Sequence, residues 1–308
     1  MRKFFSGVWR VIQSPFKLLF NIIAFPFRKL RDFRNLLNHE PSEMNVLESL
    51  ANLASESSAR EDFLTHLEEF RTHLLRSVIV LALLVLISFW YAQPVMAFLS
   101  GPVGGLEKLQ AIQVTEEIGV FMRVAMMMGI AAAFPYIAFE FWLFAASGLK
   151  PREKKMALAG IPLAAFLFLT GMAFTYFIML PAALPFLGSF TAISQFWSAR
   201  EYFNFVTGLM LWIGLFFEFP LVIYILTAIG LVQPKFLADQ WRLAVVIIAV
   251  LAAAITPTVD PVNMGLVMAP MILLYFISIG LSYVAAAGRR KIAESEETPE
   301  TIADDKLG

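Results

Sequence analysis

The chain has 308 residues, 59% of them apolar and only 16% charged, with a mean hydropathy of +0.71. A soluble domain runs nearer half apolar and a quarter charged, so this composition argues against an ordinary water-soluble enzyme. Lys+Arg and Asp+Glu balance at 24 each, and the absence of cysteine excludes disulfide scaffolds, Cys-ligated zinc, iron–sulfur clusters and thiol catalysis.

Residues 1–38 carry eight Lys/Arg against Asp32 alone, interleaved with Phe4, Phe5, Trp9, Phe16, Leu19, Phe20, Ile23 and Phe27. That pattern fits a basic amphipathic helix lying on an anionic membrane leaflet. A cleaved signal peptide fits less well, because no small-residue cleavage site follows a compact apolar core. Residues 39–62 turn acidic, with Glu40, Glu43, Glu48, Glu56, Glu61 and Asp62, and read as a linker with some helix. Residues 1–62 are therefore expected to form a cytoplasmic extension, followed by a membrane domain over 63–288 and a disordered polar tail over 289–308.

A helix needs about 20 mostly apolar residues to cross the hydrocarbon of a bilayer. Six candidates follow in order: about Leu74–Ala92, Gly119–Ala146, Ala157–Phe186, Phe203–Ile229, Leu243–Ile255 and Met264–Ala287. The fifth has only 13 residues before Thr256-Pro257. At about 1.5 Å per residue it reaches about 20 Å, too little to cross an ordinary bilayer unaided. It is either a buried half-helix or a site where the bilayer thins. The fold class is thus all-α and polytopic.

Orientation follows from the positive charges, which favour the cytoplasmic side. Only Lys108, Arg123 and Arg200 fall in or beside connections on one side; the other 21 of the 24 Lys/Arg lie with the two termini. Both termini are therefore expected in the cytoplasm.

Polar groups inside spans are costly, so each needs a reason. Glu218 lies deep in the fourth span, in Phe216-Phe217-Glu218-Phe219-Pro220, where Pro220 frees a backbone carbonyl and can kink the helix. It is either a polar docking point or protonatable group facing a wet cavity, or a neutral acid bonded to a backbone carbonyl. Glu140, near the cytoplasmic end of the second span, can snorkel to the interface. Two charged clusters flank the spans: His66-Leu67-Glu68-Glu69-Phe70-Arg71-Thr72-His73, where Glu69 and His73 share a helix face, and Leu149-Lys150-Pro151-Arg152-Glu153-Lys154-Lys155. Both read as solvated loop charge unless their carboxylates converge on one cationic ligand. Asp260, in Thr256-Pro257-Thr258-Val259-Asp260-Pro261, is placed to cap the sixth span with Pro261 at its first position.

No enzyme chemistry emerges. There is no Walker loop, dinucleotide glycine pattern or His-Glu-x-x-His, and no histidine lies beyond His73 to serve a Ser-His-Asp triad. No cofactor and no metal site are implied, and no nucleic-acid reader motif is present.

These motifs together resemble TatC, the multi-span core of the twin-arginine protein translocase, over about Phe63 to Arg290. His66-Leu67-Glu68-Glu69-Phe70-Arg71 is similar to the family's His-Leu-x-Glu-Leu-Arg, with Phe70 in place of Leu. Pro102 matches a proline of the first outer loop. Phe144 and Glu153 match the aromatic and acidic residues that bracket the first cytoplasmic loop. Phe217-Glu218-Phe219-Pro220 matches Phe-Glu-x-Pro, and the turn ending at Asp260 matches Thr-Pro-x-x-Asp. The long N-terminal extension departs from the short family N-terminus, so nothing carries over to it.

The resemblance implies a concave, cup-like bundle with short fifth and sixth helices in the inner membrane. It implies a receptor for twin-arginine signal peptides of folded proteins, driven by the proton-motive force. TatA-like and TatB-like single-span subunits, further copies of the chain and membrane lipids would be its partners. Two guanidinium forks call for two carboxylates, and bidentate Arg–carboxylate bonds give a specificity that Lys does not reproduce. Glu69 and Glu153 are the expected pair. Arg71 would orient Glu69 or contact acidic lipid, and Phe144 would pack the apolar part of the signal. Glu218, Pro102 and Asp260 would serve partner subunits and transport. The competing reading is a small proton-coupled secondary transporter using Glu218, against which stands the lack of any visible inverted repeat. A second competitor is a membrane scaffold that recruits partners through residues 1–60.

Overall fold

A computed structural model describes residues 57–146, 151–189, 197–256 and 261–304. The described residues are overwhelmingly helical. Helix α1 spans Ser57–Ser88, α2 Ala92–Leu99, α3 Glu116–Ala146 and α4 Pro151–Phe174. One π-helical stretch, Thr175–Met179, joins α4 to α5, Leu180–Ser189. Then come α6 Ala199–Phe217, α7 Phe219–Ala228, α8 Pro234–Asp239, α9 Trp241–Ile255 and α10 Pro261–Asp304.

Among the described residues five stretches are long and apolar enough to cross a membrane: Leu67–Ser88, Glu116–Ala146, Glu153–Gly188, Ala199–Ala228 and Pro261–Arg290. Helix α9 is the short one, at 15 residues. The expected pattern of long spans with a short fifth therefore holds.

Two expectations do not. The sixth span is not short: its apolar part covers 30 residues. Nor is the polar tail unstructured throughout, since α10 continues to Asp304. Extending an existing helix needs no new nucleus, and Lys, Ala and Glu in the tail are good helix formers. Local polarity alone did not reveal this.

The chain divides into two compact units: Met1–Val78 with Glu140–Leu158, and Ile79–Phe139 with Ala159–Gly308. The boundaries fall inside α1, α3 and α4.

In the second unit Leu99, Val124, Leu180, Phe203, Val206 and Ile213 are buried at its centre. Small residues let its helices close. A Cβ on Gly129 would lie 2.4 Å from Val85 Cγ2 and 2.7 Å from Val85 Cα, so α1 and α3 touch through a position only glycine fills. Gly171 meets the Gly214 Cα in the same way, at 2.8 Å from the added Cβ, where α4 crosses α6. Apolar side chains such as Leu86, Val250 and Leu273 remain exposed, as a lipid-facing surface requires.

The same unit holds the connections that follow α1 and α5. Leu109–Gln110 and Trp197–Ser198 form a short parallel pair, β1 and β2, with Leu109 opposite Trp197. Two tyrosine hydroxyls anchor the segment before β1: Tyr176 donates to Phe98 O and Tyr202 to Leu99 O, both at 2.7 Å. Helix α7 ends on Gly230 at φ +88°, and Leu231 N donates back to Leu226 O at 2.9 Å. Only glycine adopts that left-handed backbone cheaply.

Candidate functional site

The four residues expected to bind a peptide, Glu69, Arg71, Phe144 and Glu153, all fall in the first unit. Glu69 and Arg71 sit on α1, on exposed turns. Phe144 belongs to the last turn of α3, and Glu153 to the first turn of α4 behind Pro151. A proline at a helix start leaves no donor unused, and a carboxylate there is favoured by the helix dipole.

Arg71 does not pair with Glu69. Its Nη1 lies 3.5 Å from Glu68 Oε1, on side chains 71% and 75% exposed. Such a bridge contributes little and leaves the guanidinium available.

Phe144 is held by aromatic contacts. Phe70 meets it edge-on at 5.3 Å between ring centroids, and His73 lies at 6.5 Å. Phe70 is the residue that departs from the family motif, and it packs against the very aromatic that the motif comparison singled out.

One polar contact in this unit was not foreseen. His73 Nδ1 and Glu140 Oε2 are 2.5 Å apart, across 67 residues of sequence. Glu140 is only 2% exposed, so it does not snorkel to the interface. A second tie lies two residues on: Trp142 Nε1 donates to Lys154 O at 3.2 Å, with Trp142 and Lys154 both buried. Sequence reading noted both His73 and Glu140 separately. An isolated acid in a span and an unexplained histidine at the same depth of a neighbouring span were the signal that could have paired them.

Among the described residues the second unit holds two buried carboxylates. Glu218 forms the junction between α6 and α7. It is 7% exposed, its N–H donates to Leu215 O at 3.1 Å, and its carbonyl accepts from Val222 N at 2.9 Å. Pro220 at the start of α7 explains the break, since it supplies no N–H to continue α6. The side-chain Oε1 is buried and has no hydrogen-bond partner among the described residues. The carboxyl also has a hydrogen bond with the Phe168 backbone.

Glu116, at the first turn of α3, is 2% exposed and was missed in the sequence. Its Oε2 accepts from Ile112 N at 2.8 Å and Gln113 N at 3.1 Å. Its Oε1 accepts from Ser198 Oγ at 2.7 Å and Arg200 N at 2.6 Å. It thus ties the connection after α2 to the start of α6, beside the β1–β2 pair. Pro102 lies in the short 3-10 turn Gly101–Val103 of the same connection, half-buried. Asp260 falls outside the described residues. Among the described residues no group of three or more His, Cys, Asp or Glu is placed to hold a metal.

Comparison with known proteins agrees with this architecture. The family model described as Sec-independent protein translocase protein (TatC) matches residues 65–270. A Sec-independent protein translocase protein TatC from Koribacter versatilis is 32% identical over 259 residues, covering 81% of this chain and 96% of that protein. One from Deinococcus radiodurans is 34% identical over 253 residues, covering 79% and 92%. A crystal structure described as the twin-arginine translocase receptor TatC superposes with a TM-score of 0.65 at 32% identity, covering 71% of this chain and 99% of that one. The fold, the motifs and these relatives converge: the chain belongs to the TatC family, the multi-pass, non-enzymatic membrane component of the Sec-independent protein translocase.

Proposed function

We propose that this chain is the core receptor subunit of the twin-arginine translocase, binding twin-arginine signal peptides of folded precursors through Glu69 and Glu153. The observation that carries the reading is the grouping of Glu69, Arg71, Phe144 and Glu153 in one compact unit, although they come from three helices. Two carboxylates on separate helices suit two guanidinium forks, and an aromatic beside them suits an apolar flank. Arg71, paired only with exposed Glu68, is available to acidic lipid headgroups or to the precursor.

The charge distribution supports an inner-membrane protein with both termini in the cytoplasm, and with Glu69 and Glu153 on the cytoplasmic side. Residues 1–38, which lie outside the described residues, would add a basic surface helix on the anionic leaflet.

Glu218 then serves partners rather than peptide. A buried carboxyl oxygen without a partner offers a hydrogen-bond site to a polar residue on a TatA-like or TatB-like single-span helix. Pro102 and Asp260 would shape the outer rim for those subunits and for further copies of the chain. Family membership leaves the solute-transporter alternative without support.

The test is binding of a labelled twin-arginine peptide to the detergent-purified chain beside a twin-lysine version. Binding that needs both arginines and falls about tenfold or more in Glu69→Ala and in Glu153→Ala establishes the receptor site. Equal binding of the lysine peptide, or full binding by both variants, refutes it.

A further inference from the structure

The proposed peptide site depends on two carboxylates carried by different helices, α1 and α4. Nothing in either helix alone fixes how far apart they stand. Like charges repel, so the pair drifts apart unless something holds it. Two ties that reach these helices within the first unit start from the last turns of one element, the C-terminal end of α3.

The first is the His73–Glu140 contact at 2.5 Å. His73 follows Glu69 by four residues on α1, one helical turn, so fixing His73 fixes the base on which Glu69 stands. Glu140 precedes Phe144 by the same spacing. One buried contact therefore sets Glu69 relative to Phe144, and the Phe70–Phe144 edge contact at 5.3 Å reinforces it. The second tie is Trp142 Nε1 donating to Lys154 O at 3.2 Å. Lys154 is the neighbour of Glu153, so that bond fixes the first turn of α4 and with it the second carboxylate.

We infer that Glu140 with His73, and Trp142, are positioning residues: the end of α3 acts as a ruler that sets the separation of Glu69 and Glu153 and so selects two adjacent arginines over two separated ones. This rests on the receptor reading above and adds to it a source of spacing specificity. A bidentate guanidinium bond is directional, and adjacent arginines reach a fixed pair of acceptors only at one separation. Loosening the ruler lowers affinity for the paired motif, but its sharper effect is to erase the preference for pairing.

The experiment uses the full chain in detergent and three peptides: Arg-Arg, Arg-Ala-Arg and Lys-Lys. The unaltered protein is expected to prefer Arg-Arg over Arg-Ala-Arg by about tenfold, the loss of one charge-assisted contact. Glu140→Leu and Trp142→Phe each remove one tie, and in both the preference is expected to fall to about twofold or less, an outcome judged against the same constants. Glu140→Gln keeps a hydrogen bond to His73 and is expected to retain it. Because the chain has no native cysteine, spin labels at Thr65→Cys and Lys155→Cys report the α1–α4 separation directly. The distance distribution is expected to be narrow in the parent and in Glu140→Gln, and broad in Glu140→Leu and Trp142→Phe. That readout decides the matter even for a variant too weak to bind peptide.

Retained preference with a narrow distribution in both Glu140→Leu and Trp142→Phe overturns the ruler. So does an equal loss in Glu140→Gln, which would make the charge at Glu140 a direct peptide contact. Failure of the receptor reading looks different: the unaltered protein would then not separate Arg-Arg from Lys-Lys at all.

Discussion

Glu116 and Glu218 are both buried carboxylates on membrane-spanning stretches of the same compact unit, and their surroundings are opposite. Glu116 accepts from four donors, three of them backbone N–H groups. Glu218 has a buried oxygen with no partner among the described residues. A buried polar group that is fully satisfied holds structure together; one left unsatisfied is a standing cost that function must justify. The contrast assigns Glu116 to the architecture of the α2–α3 and α5–α6 connections and Glu218 to an exchangeable contact. Composition makes no such distinction, since an acid at the start of a span and one inside a span count alike.

Substitutions can break this comparison. The largest structural effect is expected from Glu116→Ala, which removes the acceptor of four donors at once. Its melting temperature in detergent should fall by about 5 °C or more. A melt indistinguishable from the parent would show that water replaces the carboxylate and that the staple is dispensable. Glu218→Ala is the converse case: little change in the melt, block of export in cells, and peptide binding kept. Equal loss of peptide binding and export would end the division of labour between the two units.

A packing substitution sharpens the contrast from another side. Gly129→Ala inserts a methyl group where Val85 leaves no room, in a contact that involves no carboxylate. It should cost about 1–3 kcal/mol of stability by forcing α1 and α3 apart, with export lost only in proportion. Thermal unfolding and export measured together check that proportionality. The smallest effect is expected for Arg71→Ala, whose exposed pairing with Glu68 should leave the melting temperature within about 1 °C of the parent. Any substantial change in that melt would mean that Arg71 holds α1 in place rather than meeting peptide or lipid.

The first unit repeats the lesson with a different partner. Glu140 is nearly as buried as Glu116, but its contact is a histidine side chain from another helix, not backbone of a loop. A side-chain tie between two helices sets a distance between them. A carboxylate that gathers backbone donors sets a loop conformation. This is why Glu140 bears on the spacing of Glu69 and Glu153, whereas Glu116 bears on the connections at its own helix start.

The spans were legible in the amino-acid order because burial in hydrocarbon demands long apolar helices, a property of each segment by itself. The brevity of α9, the break at Glu218-Phe219-Pro220 and the charge asymmetry were legible for the same reason: each is local. The motif residues Glu69, Phe144, Glu153 and Glu218 could be named, but not their surroundings. Only the tertiary structure decided that Glu140 is buried against His73, that Trp142 holds the start of α4, and that Glu116 gathers four donors. Apart from the local donors Ile112 and Gln113, those contacts join residues from 67 to 84 positions apart, or across a helix turnaround, and depend on how helices cross. Crossing is set by close approaches such as Gly129 on Val85 and Gly171 on Gly214, which no single segment encodes.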